Sequence, residues 1–577
     1  MKVSGNHLFV TALKKEGVDT VFAYPGGMVV NLLDALHDAK GIDLVLPRHE
    51  QGLIHAADGY ARATGKVGVC LVTSGPGATN LVTGIANANY DSIPLVCFTG
   101  QVGKNLIGND AFQEVDIVGI TRNVAKFVIM VRDRELLAQR IKEAFYIARS
   151  GKPGPVLVDL PTDIMAELGS TSYPTDVNIR GYKPNNSIHI GQLKRALTLV
   201  RKAQKPMFLI GGGVNIAGAQ AELTDMVEKL DIPVVTTVMG RGAIATDHPL
   251  YFGNIGMHGC YTANRMAHEC DLLFSIGCRF NDRVTGNVAT FAPKAKIVHI
   301  DIEAAAISRN VTVDIPIVSD AKLAIDKIIE HTNEMKHTEW VDEIRSWEQA
   351  HPLHIEVEEG VNPMKIMETL NEIYADIDTI YTSDVGQHQM WASQYLKLDA
   401  THRLIQSGGL GTMGFGFPSA IGAKLGCQAK EVVSINGDGG FQMNMQEMAT
   451  AICQEIPLVT IILNNTKLGM VRQMQTQFHK GRYTITCLGC HKSCKGQCGK
   501  PGWECPEYSP NFVKLAEAYG SKGYLVTEDC QLKATIEEAR AYAIAEKKPV
   551  IIECIVSPDE MVLPWIPGGK SFEDILL

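Results

Sequence analysis

Most of the chemistry in this sequence can be argued from Asp438 and Asn465. Asp438 lies in Gly437-Asp-Gly-Gly440, which breaks a β-branched run through Val432, Val433 and Ile435. Asn465 lies in Asn464-Asn465, which closes a second apolar run, Leu458 to Leu463. Parallel strands joined through a helix bring such ends side by side, where open α/β sheets bind ligands. A carboxylate, an amide oxygen and freed loop carbonyls suit Mg2+, a hard cation that usually brings a phosphate. A helix opening at Gly440 adds free N–H groups that favour an anion. The expected ligand is therefore a magnesium diphosphate. Gly-Asp-Gly alone is weak evidence, because Asp-Gly turns are common; its specificity comes from Asn465 at the end of the next strand.

Glu50, in Arg48-His-Glu-Gln-Gly52 at another strand end, is the second candidate. A Glu opening a helix does no more by itself than favour the helix dipole. It gains weight from its pairing with the magnesium diphosphate motif.

The elements that must position these residues alternate strand and helix throughout. Val21–Gly27, a strand before Arg48, Val67–Val102 and Gly154–Ile164 make one α/β unit, residues 1–167. A polar stretch leads to a second, 188–335, with strands around Lys205–Asn215, Ile232–Ala243, Cys270–Phe280 and Ala295–Glu303. After a charged linker a third, 362–557, carries the opening motif; residues 558–577 read as a tail. This is α/β architecture of three doubly wound parallel-sheet domains, and no repeat is visible in the sequence.

Composition narrows the partners. The 577 residues are 20% charged with a net charge of −9, which gives no reason to expect nucleic acid or an anionic membrane. No apolar run reaches membrane-spanning length, and Met1 begins an amphipathic pattern without a signal-peptide core, so the expected location is cytoplasmic. Nine of the fourteen cysteines are scattered singly through apolar segments and read as buried, inert thiols. The other five, Cys487, Cys490, Cys494, Cys498 and Cys505, crowd into an insertion at 487–505 together with His491. That density suits Zn2+ or an iron–sulfur cluster; an unliganded loop and redox-reversible disulfides are the alternatives.

Several motifs, in order along nearly the whole chain, carry a resemblance. Tyr24-Pro-Gly-Gly27, Arg48-His-Glu-Gln-Gly52, Thr73-Ser-Gly-Pro-Gly-Ala-Thr-Asn80, Ala111-Phe-Gln-Glu114, Arg279 to Gly286, Gly386 to Trp391 and Gly408 to Gly416 resemble the large, catalytic subunit of the acetolactate synthase (acetohydroxyacid synthase) family. The resemblance implies thiamin diphosphate, Mg2+ and FAD as cofactors. It also implies decarboxylation of pyruvate and ligation of the two-carbon unit to a second 2-oxoacid, pyruvate or 2-oxobutanoate. This is the first step toward branched-chain amino acids.

By the same resemblance Glu50 hydrogen-bonds the aminopyrimidine of the cofactor. Tyr24, Thr73, Pro76, Asn80 and Gln113 surround that ring from one chain. Gln387, His388, Gly411, Gly439 and the backbone of Met413 receive the cofactor from the other, and Met443 lies beneath it. Asp438, Asn465 and the Lys467 carbonyl hold Mg2+. The implied FAD residues are Lys152, Gly211, Gly212, Gly213, Thr237, Met257, His258, Asp282, Arg283, Asp301 and Asp320. Catalytic roles fall to Glu50, Gln113, Met413 and Arg283, whose guanidinium can grip the carboxylate of the second 2-oxoacid. A homodimer or homotetramer is implied, and a small regulatory subunit is a family option.

Departures from the family keep alternatives open. Met474 stands where the anabolic members carry Trp, Lys152 where they carry Arg, Thr162 where they carry Lys, and Met28 replaces a small residue. A flavin-dependent pyruvate oxidase, a catabolic FAD-free acetolactate synthase and a non-catalytic scaffold are the competing readings.

Overall fold

The computed structural model describes residues 2–489 and 509–577. Cys490, His491, Cys494, Cys498 and Cys505, expected to bind a second metal, lie outside them, and only Cys487 of that cluster lies inside.

Three six-stranded sheets dominate, each parallel at every pairing. Counted in chain order within each domain, the first and third sheets share the strand order 2-1-3-4-6-5, and the middle one runs 3-2-1-4-5-6. The sequence shows no repeat, yet its two outer domains have one topology. Buried clusters cover both faces of the first sheet and of the third. This is why strands such as Leu458–Asn464 are buried at every residue rather than at alternate ones.

Several expectations are corrected. The helix after the opening motif begins at Asp438, two residues before Gly440, with Gly437 as its extended N-cap; an acidic first residue is favoured there by the helix dipole. Strands Tyr251–Asn254 and Ile315–Val318 complete the middle sheet. Each is four residues long and on an outer edge, where a weak apolar pattern suffices. Leu168–Gly169 pairs antiparallel with Val3–Ser4, a two-residue pairing that no motif announced. Of the nine scattered cysteines, Cys453 and Cys530 are exposed and Cys427 is half-buried; the other six are buried.

The tail is also not free. Trp565 is buried, its backbone N–H donates to Leu576 O, and the Ile566 N–H donates to Met257 O across 2.8 Å. The outer domains meet where helix Glu50–Thr64 crosses helix Gly416–Gly426. A Cβ on Gly59 would fall 2.1 Å from Ser419 O, and one on Gly422 would fall 1.9 Å from Ala56 O. Only glycine at both positions lets the two backbones touch.

Candidate active site

In the third domain the strand order reverses between Thr379–Ser383 and Glu431–Gly437, the point where such sheets bind ligands. Asp438 and the loop Asp384–Gly386, which leads into helix Gln387–Tyr395, leave those two strands. Asp438 is buried, and its Oδ2 has no hydrogen-bond partner among the described residues. Burial pushes its carboxyl up to about 7, against backbone N–H groups that favour the charge. Asn465 follows the adjacent strand; its Oδ1 accepts the Lys467 N–H across 3.0 Å, which turns the loop beside Asp438. An orphaned carboxylate oxygen, an amide oxygen and loop carbonyls fit a hard divalent cation.

The His388 ring lies over Gly386 and Gly437, where a Cβ would come within 2.8 Å. Burial lowers its pKa to about 3, so the ring is neutral, and its Nε2 has no partner among the described residues. Gln387 turns toward the protein: its amide donates to Gln473 Oε1 and to Glu560 O.

Sequence reasoning missed Asp384. This fully buried residue accepts the N–H groups of Val385, Gly414 and Gly416 across 2.8, 3.1 and 2.9 Å, and burial raises it to about 6. A Cβ on Gly440 would collide with its Oδ1 at 2.2 Å. It thereby ties together the segments that carry His388, Met413 and Asp438. The available signal was an Asp closing a buried strand in Ser383-Asp-Val-Gly386.

The loop before Met413 is held from the first domain. Ser407 Oγ and Thr412 Oγ1 donate to Asn87 Oδ1, and the Gly409 N–H donates to Asp91 across 2.7 Å. Asp91 shares Arg62 with Asp58, an ion cluster that no motif announced.

In the first domain the equivalent reversal lies between Thr20–Ala23 and Gly68–Val72. Glu50 opens its helix and is 8% exposed. Asn80 Nδ2 donates to Glu50 Oε2 across 2.9 Å. A Cβ on Gly77 would touch both Thr73 and Glu50, and one on Gly75 would meet Gln113. Gln113 itself holds a left-handed φ of 61°. Tyr24 and Pro76 start the turns that leave this end of the sheet. Of the expected pyrimidine group, Asn80 contacts Glu50 directly, and Thr73 and Glu50 both border Gly77.

The middle domain has the reversal between Pro206–Ile210 and Leu272–Ile276. A Cβ on Gly211 would lie 2.1 Å from Gly277 O, and one on Gly213 would lie 2.8 Å from Gly277 Cα. From here a cavity of about 1480 Å3 runs to Asp438 and Asn465. Lys152, Gly212, Gly213, Thr237, Met257, His258, Asp282, Arg283, Asp301 and Asp320 line it, as do Gln387, His388, Gly411, Met413, Gly439 and Lys467. Gly211 does not; it is spent on the contact with Gly277. Burial pushes Asp301 up to about 6 and His258 down to about 4, and the His258 ring stacks on Trp565. A glycine-floored strand end with a buried acid and a His258 Nδ1 without a partner among the described residues fits a dinucleotide.

The two groups share no cavity within one chain. Tyr24, Glu50, Thr73, Pro76, Asn80 and Gln113 line no part of that cavity. Met443 also stays out of it, 49% exposed, whereas Met413 lies against the Asp438 turn, its Cε 3.6 Å from where a Gly439 Cβ would be. Met470 and Met474, on helix Gly469–His479, line the cavity. Cys487 is anchored beside the site, with Lys467 Nζ 2.8 Å from its Sγ.

Comparison with known proteins identifies the three domains. The thiamine pyrophosphate enzyme N-terminal TPP binding domain matches residues 3–120, the central domain 193–328 and the C-terminal TPP binding domain 384–554. The acetolactate synthase isozyme 3 large subunit of Escherichia coli strain K12 is 43% identical over all of this chain and 98% of its own length. The chain belongs to the acetolactate synthase large-subunit family. The acetolactate synthase large subunit of Corynebacterium glutamicum is also 43% identical, over all of this chain and 90% of its own. So is the probable acetolactate synthase large subunit of Methanocaldococcus jannaschii, over 95% of its own length. Thiamin diphosphate is therefore the cofactor of this thiamine pyrophosphate enzyme, and no helix among the described residues is long and apolar enough to cross a membrane.

Proposed function

We propose that this chain decarboxylates pyruvate and joins the two-carbon unit to a second 2-oxoacid, giving 2-acetolactate from pyruvate and 2-aceto-2-hydroxybutanoate from 2-oxobutanoate. The observation that carries the reading is the buried, unpartnered Asp438 Oδ2 at the carboxyl end of a parallel strand in a thiamine pyrophosphate enzyme. Asp438, Asn465 and the Lys467 carbonyl would hold Mg2+ there, and His388 would donate to the diphosphate. Bound thiamin diphosphate supplies a nucleophilic thiazolium carbon and an electron sink.

The remaining work falls to side chains of the protein. Glu50, oriented by Asn80, holds a proton at the aminopyrimidine edge. Met413 presents its backbone to the same ring, and Gln113 closes the pyrimidine side. Arg283 grips the carboxylate of the second 2-oxoacid, and Met470 and Met474 shape the acceptor pocket. Because Glu50 and Asp438 lie in separate groups of one chain, we assign the complete site to two chains, Glu50 from one and Asp438 from its partner, in a homodimer or larger assembly. FAD would occupy the middle-domain end of the cavity without a net redox role. A cytoplasmic location and a smaller partner subunit belong to the same reading.

Product analysis tests it. Pyruvate alone should give 2-acetolactate, and pyruvate with 2-oxobutanoate in competition should give both products, with and without added FAD. Flavin bleaching at stoichiometric pyruvate with no acetolactate would establish a pyruvate oxidase instead.

A further inference from the structure

A buried carboxylate of the third domain grips the turn from which Glu50 projects. Glu447 ends the short 3-10 segment Met445–Glu447, directly after helix Asp438–Asn444, and is fully buried. Both of its oxygens accept the Arg48 N–H, each at 3.0 Å. Oε1 also accepts the His49 N–H at 3.1 Å, and the Thr450 hydroxyl donates to Oε2. Arg48 and His49 immediately precede Glu50, and two successive N–H groups on one carboxylate fix the peptide planes that aim its side chain.

Gly52 completes the grip. A Cβ there would fall 2.5 Å from Glu447 Oε1 and 2.8 Å from its carboxyl carbon, so a larger residue displaces the carboxylate or the helix. Farther along, the Gly59 and Gly422 contacts prevent the helix from sliding away. Glu447 does not line the cavity that Asp438 lines, and both its oxygens are engaged, so it is not a spare acid or base at the diphosphate end.

We propose that Glu447 is the positioning residue for Glu50 of its own chain. The inference rests on the assignment of Glu50 to the cofactor held by the partner's Asp438 half. Glu447 then serves the active site to which its own Asp438 does not belong, although the two residues share one short stretch of sequence.

The holoenzymes of Glu447→Gln and Gly52→Ala, the second crowding the carboxylate without removing it, test this by deuterium exchange at C2 of bound thiamin diphosphate. Exchange and turnover should fall together by about 10- to 100-fold, as expected for a misplacement of about 1 Å. Cofactor affinity and the KM for pyruvate should hold. Wild-type exchange per bound cofactor in Glu447→Gln would overturn the proposal, whatever happens to stability.

Hybrid dimers locate the effect. With Glu447→Gln on one chain and Glu50→Gln on the other, both sites should fail; with both substitutions on one chain, one site should keep working. The reverse pattern would assign Glu447 to the diphosphate half and overturn the proposal. A control hybrid, Asp438→Asn opposite Glu50→Gln, keeps one working site if sites are shared between chains. Loss of all activity there would overturn the shared site itself, independently of Glu447.

Discussion

Asn80 donates its side-chain amide to Glu50 Oε2 across 2.9 Å, leaving the other carboxyl oxygen beside Gly77. One oxygen is held and the other is presented, which suits a carboxyl that shares a proton with a ring nitrogen. Glu50→Gln should lower turnover by about 100-fold or more, the range of a lost acid–base group. Asn80→Ala should cost less, about 10-fold, because Glu50 then keeps its chemistry and loses its orientation. Steady-state kinetics together with unchanged melting temperatures would check both.

Asp438 works against the cofactor-free fold. Its folded pKa of about 7 lies above the ordinary 3.8, so between those values the folded chain keeps a proton the unfolded chain has released. The stability linked to that proton is complete below pH 3.8 and is lost as the pH rises through about 7. Asp438→Asn should therefore raise the melting temperature of the cofactor-free protein more at about pH 8 than at about pH 5.5. A shift of about 2 °C or more is expected near pH 8. The same variant should lose Mg2+-dependent turnover. Thermal melts at the two pH values, with and without Mg2+ and thiamin diphosphate, separate the two effects.

Gly211 and Gly277 set the floor of the middle domain. Alanine at 211 would place a methyl 2.1 Å from Gly277 O, and the strand ends must part. Gly211→Ala should therefore reduce bound flavin and destabilise the protein by about 1–3 kcal/mol, the range of an overpacked core position. Flavin absorbance per chain after purification, with a denaturant melt, checks the prediction.

Met474 lines the cavity from the same helix as Met470. A flexible thioether adapts to an acceptor of either size, whereas an indole gives a fixed wall. Met474→Trp should raise the preference for 2-oxobutanoate over pyruvate by about 10-fold, the scale of one extra methylene contact. Competition between the two acceptors at fixed pyruvate measures it.

The parts of this site that follow from local chain geometry were legible in the sequence. Asp438 and Asn465 could be placed because strand, turn and strand lie within one short stretch. Glu50 could be singled out only at the end of a strand, opening a helix, and Asn80 only through the family resemblance. What could not be read depends on groups distant in sequence. Asp384 acts through Gly414, Gly416 and Gly440, and Glu447 through Arg48 and His49, pairings that only the packed domains create. The shared strand order of the outer sheets was equally invisible, since parallel β-strands ask only for buried apolar residues and many sequences satisfy that. The helix start slipped by two residues because both Asp438 and Gly440 satisfy the requirements of a first turn.

The contact between Ile566 and Met257 has a consequence for how the protein is made. The middle sheet is complete by Val318, yet one of its cavity-lining loops is held by Ile566, translated about 250 residues after that point. At roughly 5–20 residues per second, that loop waits some tens of seconds on the ribosome for its backbone partner. A ligand captured before Ile566 has been made would meet an unfinished wall, so loading at the middle-domain end of the cavity should follow synthesis of that segment.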